Sequence, residues 1–133
     1  LSRAVKQIAP LKINEDVVVP VTRLADTVAG IEALAAEHGV PVVNFGHAGN
    51  GNLHVNLMVH PDDPEEVDRA RACLRRIFAL VLEHGGTLSG EHGVGTEKAP
   101  FVADELGQSE RALHRAIKAE FDPAGILNPG KGF

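Results

Sequence analysis

The 133-residue sequence contains two glycine-rich stretches in which histidine, glutamate and asparagine cluster. The stretch GHAGNGNLH contains His47 and His54, and the stretch SGEHGVG contains Glu91 and His92. Imidazole nitrogens and carboxylate oxygens coordinate divalent metal ions, and a set of two histidines and one glutamate leaves positions open for water or a substrate. Glycines on both sides of the Glu-His pair permit a sharp backbone path that aims both side chains at one place. The two stretches therefore predict a site for Zn²⁺, Mn²⁺ or Fe²⁺.

The spacing of the first two histidines suggests how they approach each other. The Asn-Gly pair at 50–51 lies between two strand-like runs, and Asn-Gly is the strongest short signal for a two-residue hairpin turn. A turn centred on this pair joins residues whose numbers sum to 101, so His47 lies directly opposite His54. Their Cβ atoms would be about 5 Å apart on one face of the hairpin, close enough for the two imidazoles to share a cation.

The strand that follows the turn has the clearest period-2 pattern in the chain. Residues 53–60 (LHVNLMVH) alternate almost perfectly between apolar and polar side chains. Successive side chains of a strand point to opposite faces, so Asn52, His54 and Asn56 share one face. The opposite face carries the predicted core residues Leu53, Val55, Leu57 and Val59. A polar row with a metal ligand and an amide is thus expected on a rigid strand.

Simpler interpretations of the same residues stay open at this point. A glycine-rich loop is often only a tight turn, and paired histidines on a strand often face water. A phosphate-binding loop is not indicated, because the glycines at 49–51 run into a strand and not into a helix N-terminus. The glycines at 93–95 lack the Gly-Lys-Ser/Thr order and the spacing of a Walker loop.

The rest of the sequence predicts the elements that position these residues. They are, in chain order, a strand over 13–19, a helix over about 23–38 capped by Thr22, a strand over 40–45, the strand over 53–60, a helix from Asp63 to about His84, a strand over 87–90, and a last helix capped by Ser109 and ended by Asp122. The order β-α-β-β-α-β-α predicts an α+β, ferredoxin-like fold, in which helices pack on one face of an antiparallel sheet.

Composition restricts the class of protein. The length suits one domain over residues 1–133, and 44% hydrophobic with 23% charged residues is ordinary for a globular chain. A net charge of -5 argues against a nucleic-acid partner, which needs a basic surface. The sequence contains no apolar run of the ~20 residues that a transmembrane helix needs. The single Cys73 fits a reducing compartment, and the start at Leu1 suggests a fragment or a processed chain.

Three segments resemble one known family, the C-terminal domain of FAD-linked oxidases. They are FGHAGNGNLH at 45–54, SGEHGVG at 89–95 and FDPAGILNPGK at 121–131, and KINEDV at 12–17 is similar to the opening strand of that domain. The family includes the glycolate oxidase flavoprotein subunit, D-lactate dehydrogenase and D-2-hydroxyglutarate dehydrogenase. The similarity extends in the right order over nearly the whole chain.

This resemblance implies specific roles for five residues. In the metal-containing relatives, the residues that match His47, His54 and Glu91 bind a divalent cation, usually zinc. Those that match Asn56 and His92 contact the substrate, and His92 is the candidate catalytic base. The implied reaction is hydride transfer from C2 of a small D-2-hydroxy acid to the flavin, with the cation on the substrate's hydroxyl and carboxylate oxygens.

The resemblance also implies partners and leaves two rival functions open. FAD would be bound mainly by an N-terminal domain absent from this chain, so the chain alone should be inactive, and the electron acceptor is open. The expected location is the cytoplasm, with peripheral attachment to the inner membrane as an alternative. The rivals are a stand-alone metal-dependent hydrolase and a non-catalytic metal-binding module, and metal analysis together with activity measured without flavin separates them.

Overall fold

The computed structural model describes residues 9–132, and the chain divides into two compact units, Leu1–Glu91 and His92–Phe133. The first unit contains a three-stranded antiparallel sheet of β1 (Leu11–Val18), β2 (Val42–His47) and β3 (Asn52–Val59). The strand order is β1-β3-β2, which places β3 in the centre. All eight residues of β3 are consequently buried, on the polar face as well as on the apolar one.

Two helices complete the first unit. A short 3-10 turn (Val21–Arg23) leads into α1 (Leu24–Glu37), and α2 (Pro64–Glu83) follows β3. The two helices contact each other, and each also contacts the sheet. The start of α2 confirms the predicted cap, because Asp63 Oδ1 accepts a hydrogen bond of 3.0 Å from the Glu66 amide.

The hydrophobic core of the first unit combines the predicted apolar face of the central strand with buried side chains of α2. The central strand buries Leu53, Val55, Leu57 and Val59, each at most 5% exposed. Helix α2 buries Ala70, Cys73, Leu74, Ile77, Phe78 and Val81. The α+β class, with an antiparallel sheet and packed helices, is confirmed. Burial also raises the pKa of the Cys73 thiol to about 11, because the thiolate is poorly solvated there.

The second unit is helical within its described residues. It contains a 3-10 turn (Ala99–Phe101), a one-turn helix α3 (Val102–Glu105) and the longer α4 (Gln108–Phe121). After α4, the Asp122 carboxylate accepts hydrogen bonds of 3.0 Å from the amides of Ile126 and Leu127. It also pairs with the Lys118 ammonium group. Across residues 9–132, the helices are all too short or too polar to cross a bilayer.

Three sequence predictions about the elements are wrong. Residues 87–90 do not form a strand, because only an isolated bridge joins Thr87 to Val18. Thr22 does not cap α1, since the 3-10 turn precedes the helix and Arg23 occupies the cap position. Ser109 lies inside the first turn of α4 and does not cap it. The cap position is occupied by Gly107, which has the extended backbone that a cap residue requires.

Candidate metal centre

The hairpin brings the two histidines together, although in a different register from the predicted one. His47 pairs with Asn52, and His54 pairs with Phe45, so paired numbers sum to 99 and not to 101. The prediction that His47 lies directly opposite His54 is therefore wrong. A shift of two residues preserves the face, and the histidines become diagonal neighbours, which long side chains can still bridge. Their ring centroids are 5.5 Å apart in an edge-on arrangement.

The register differs because the connection contains four residues, 48–51, and not two. The Asn50 amide donates to His47 O at 3.1 Å, and Asn50 Oδ1 accepts from the Asn52 amide at 3.2 Å. Among the four residues of this connection, Gly51 alone has a positive φ, of 78°. A Cβ on Gly51 would overlap Val19 O, and the Gly51 carbonyl accepts a hydrogen bond from the Val19 amide. The turn is thus fixed against the end of β1.

The predicted ligand set His47, His54 and Glu91 converges at this hairpin. Glu91 Oε1 lies 3.1 Å from His54 Nε2 and 3.8 Å from His47 Nε2. The His54 side chain is 11% exposed, whereas those of His47 and Glu91 are 60% and 48% exposed. One side of the cluster is therefore held in the protein and the other is open to solvent.

The geometry of this cluster fits a divalent cation. One potential ligand atom from each residue lies within 4.8 Å of the other two, and this is the one such group among residues 9–132. Ligands about 2.1 Å from a tetrahedral zinc ion are about 3.4 Å from one another, close to the two distances that involve Glu91. The set contains three protein ligands, a number typical of catalytic sites that keep a position for water or substrate.

Asp16, a residue that sequence reasoning missed, contacts the backbone of Glu91. The Asp16 side chain on β1 is fully buried, and its Oδ2 accepts hydrogen bonds from the amides of Gly90 (2.6 Å) and Glu91 (2.5 Å). Asp16 also pairs with His54 in the sheet register. The available signal was the acidic pair inside KINEDV, because acidic side chains that are buried in a strand need partners.

Asn56 lies on the same face of β3 as His54, as predicted, but it is fully buried. Its Nδ2 donates to Val43 O at 3.0 Å and to His54 O at 3.3 Å. Its Oδ1 is buried and has no hydrogen-bond partner among the described residues. A buried acceptor without a donor is unfavourable, so a ligand hydroxyl or an ordered water would stabilise this position. Contact between Asn56 and a substrate stays a prediction.

The remaining predicted site residue, His92, is the first residue of the second unit and is exposed. Its roles as substrate contact and catalytic base also stay predictions. Two other histidines have side-chain partners outside this cluster. His60 Nδ1 lies 3.0 Å from Glu66 Oε2, and His84 Nδ1 lies 2.7 Å from Thr27 Oγ1.

Comparison with known proteins gives consistent matches. The chain is 40% identical over 130 residues to the glycolate oxidase subunit GlcD of Bacillus subtilis, covering 98% of this chain and 28% of that protein. It is 38% identical over 117 residues to the D-lactate dehydrogenase of Anaerostipes hadrus, covering 87% of this chain and 25% of that protein. The chain therefore spans about a quarter of the length of these relatives.

The fold and the family agree with these matches. The solved structure of p-cresol methylhydroxylase with substrate bound superposes with a TM-score of 0.70 at 23% identity, covering 90% of this chain and 24% of that one. The family described as "FAD linked oxidases, C-terminal domain" matches residues 1–132. This chain therefore belongs to the C-terminal domain family of the FAD-linked oxidases.

Proposed function

We propose that this chain is the substrate-side domain of a flavin-dependent dehydrogenase or oxidase that converts a D-2-hydroxy acid to the 2-oxo acid. Two observations support the proposal. The chain belongs to the FAD-linked oxidase family, and relatives that it resembles are named for glycolate and D-lactate. The convergence of His47, His54 and Glu91 carries the proposal, because this cluster suits a cation that binds a hydroxy acid.

The ligand set determines the charge that a substrate meets. Two neutral imidazoles and one carboxylate leave a divalent cation, preferably Zn²⁺, with a net positive charge. An anionic 2-hydroxy acid complements that charge, and its hydroxyl and one carboxylate oxygen are spaced to share a cation. When bound, the cation lowers the pKa of a hydroxyl that it coordinates. The open side of the cluster at His47 and Glu91 is where the substrate would enter.

The oxidation removes a proton from the hydroxyl and a hydride from C2 of the substrate. FAD supplies the hydride acceptor and would be held mainly by a separate N-terminal domain. In this chain, His92 is the proposed base for the hydroxyl proton, and it is next to Glu91 in sequence. Asn56 is the proposed hydrogen-bond acceptor for the substrate, because its Oδ1 has no protein donor among the described residues.

The substrate class, the location and the partners of the intact protein are also proposals. The proposed substrate is a small D-2-hydroxy acid of the lactate, glycolate or 2-hydroxyglutarate class. The proposed location is the cytoplasm, with peripheral attachment at the inner membrane for electron transfer as the alternative. The partners are then the substrate, the flavin domain of the same protein and an electron acceptor.

The test uses the intact flavoprotein with glycolate, D-lactate and D-2-hydroxyglutarate as substrates. Glu91→Gln and His54→Ala should each lower kcat by at least about 100-fold and lower the bound metal, while the flavin absorbance stays unchanged. His60→Ala is the matched control, because His60 is an exposed histidine that pairs with Glu66 and lies outside the metal cluster. Turnover of a hydrolysable substrate without flavin would instead support a metal-dependent hydrolase.

A further inference from the structure

Asp16 stands out because its buried carboxylate contacts the loop that carries a metal ligand. The side chain is fully buried on β1, where its sheet partner is His54 on the central strand. One oxygen, Oδ2, accepts hydrogen bonds from two successive backbone amides, those of Gly90 and Glu91. A buried carboxylate is costly unless donors surround it, and charge-assisted hydrogen bonds are stronger than neutral ones. The loop is therefore tied to the sheet at the residue before Glu91 and at Glu91 itself.

The packing around Gly90 shows how close this contact is. A Cβ on Gly90 would lie 2.9 Å from Asp16 Oδ2, 2.9 Å from Asn52 Nδ2 and 2.7 Å from Val18 Cγ2. The absence of a side chain at Gly90 allows both amides to reach the same carboxylate oxygen. No regular strand pairing extends through residues 88–91. The hydrogen bonds to Asp16 therefore replace backbone hydrogen bonds that strand pairing would otherwise provide to this segment.

We propose that Asp16 is a positioning residue that fixes the Glu91 carboxylate opposite His47 and His54 and thereby sets the metal affinity of the site. The inference rests on the proposed function, because it assumes that the three-residue cluster binds a cation. Asp16 acts through Glu91 and is not itself one of the three ligands. Partners that orient metal ligands typically contribute a factor of about 10–100 to metal affinity.

The experiment measures metal affinity and loop order separately in the 133-residue chain. Zn²⁺ affinity is measured by competition with a chromophoric chelator, and Co²⁺ reports coordination geometry by its visible absorption. Amide hydrogen exchange of the metal-free, ¹⁵N-labelled chain reports the two hydrogen bonds at Gly90 and Glu91. Asp16→Ala should lower Zn²⁺ affinity about 10–100-fold, change the Co²⁺ spectrum and remove exchange protection at both amides.

Two further variants make the result specific. Asp16→Asn has the same shape and keeps one oxygen acceptor, so it should retain part of the affinity and part of the protection. It carries the test if Asp16→Ala does not fold. Asp122→Ala is the matched control, because the Asp122 carboxylate also accepts hydrogen bonds from two successive backbone amides, those of Ile126 and Leu127 in the second unit. It should lose protection there and keep wild-type Zn²⁺ affinity.

The outcomes separate this inference from the proposed function. If the wild-type chain binds neither Zn²⁺ nor Co²⁺, the metal centre itself is wrong and the role of Asp16 is wrong with it. If the wild type binds metal and Asp16→Asn binds it equally well, with equal protection at Gly90 and Glu91, the metal centre stands and the Asp16 inference alone is overturned. A graded loss from wild type through Asp16→Asn to Asp16→Ala supports both.

Discussion

The substitution Gly90→Ala probes the contact between the Glu91 loop and the sheet. The new Cβ would lie 2.7 Å from Val18 Cγ2, whereas ordinary contact begins at 3.4 Å. The β-branched Val18 side chain has little rotamer freedom, so relief of this contact moves the loop backbone away by about 0.7 Å. A retreat of that size stretches the 2.6 Å hydrogen bond from Gly90 to Asp16 to about 3.3 Å, beyond the usual range.

The free energy of unfolding should fall by about 2–4 kcal/mol in this variant. Overpacking costs about 1–3 kcal/mol, and weakening hydrogen bonds to a buried carboxylate adds on the order of 1 kcal/mol. The Zn²⁺ affinity should fall as well, because Glu91 moves with Gly90. The chain contains no Trp or Tyr, so urea unfolding is followed by far-ultraviolet circular dichroism and not by intrinsic fluorescence.

The matched control is Gly49→Ala in the hairpin loop. A Cβ at Gly49 meets nothing within 4 Å, and its φ lies outside the left-handed region. Its stability should therefore change by no more than about 0.5 kcal/mol. Equal urea midpoints and equal Zn²⁺ affinities for Gly90→Ala and Gly49→Ala would refute the proposed close contact between Gly90 and Asp16.

Other perturbations test the core, the second unit and the metal site. Leu57→Ala should lower the free energy of unfolding by about 2–5 kcal/mol, because this side chain is fully buried in the central strand. His54→Ala should lower it less. Urea unfolding that shows the reverse order would contradict the assignment of the two strand faces. The Lys118 ammonium group holds the pKa of Asp122 below its ordinary value, so the ionised carboxylate stabilises its turn above about pH 4, and that contribution disappears as the pH falls through the lowered pKa. The protection of the Ile126 and Leu127 amides, measured as their exchange rates relative to an unfolded chain at the same pH, should therefore fall in acid. Protection that does not change with pH would contradict this. Zn²⁺ affinity of the chain should fall on acidification, because protonated imidazole cannot coordinate metal, and calorimetric titrations with the same affinity at low and neutral pH would exclude histidine ligands.

Periodicity was enough to predict most of the fold. The alternation in residues 53–60 identified the central strand and its apolar face, and the Asp63 cap located the start of α2. The strand predicted over 87–90 failed for a physical reason. The backbone amides of this segment donate hydrogen bonds to the Asp16 side chain and, at a single bridge, to Val18 of β1. No local sequence pattern indicates these partners.

The convergence of His47, His54 and Glu91 agrees with the sequence prediction, whereas the hairpin register does not. The Asn-Gly pair at 50–51 correctly indicated a hairpin, yet turn length depends on the docking of Gly51 against Val19, which is a long-range contact. Because the error was an even number of residues, His47 and His54 still share a face. Asp16 could not be placed from the sequence, since its partners lie 74 and 75 residues away.

The most direct test of the proposed metal centre is turnover of the intact protein with its flavin domain, with metal content and flavin absorbance recorded on the same samples. A variant that combines His47→Ala with His54→Ala should contain no bound divalent metal, retain its flavin and lose nearly all oxidation of glycolate and D-lactate. A metal-free form of this double variant that oxidises either acid at the wild-type rate would contradict the catalytic role of the centre.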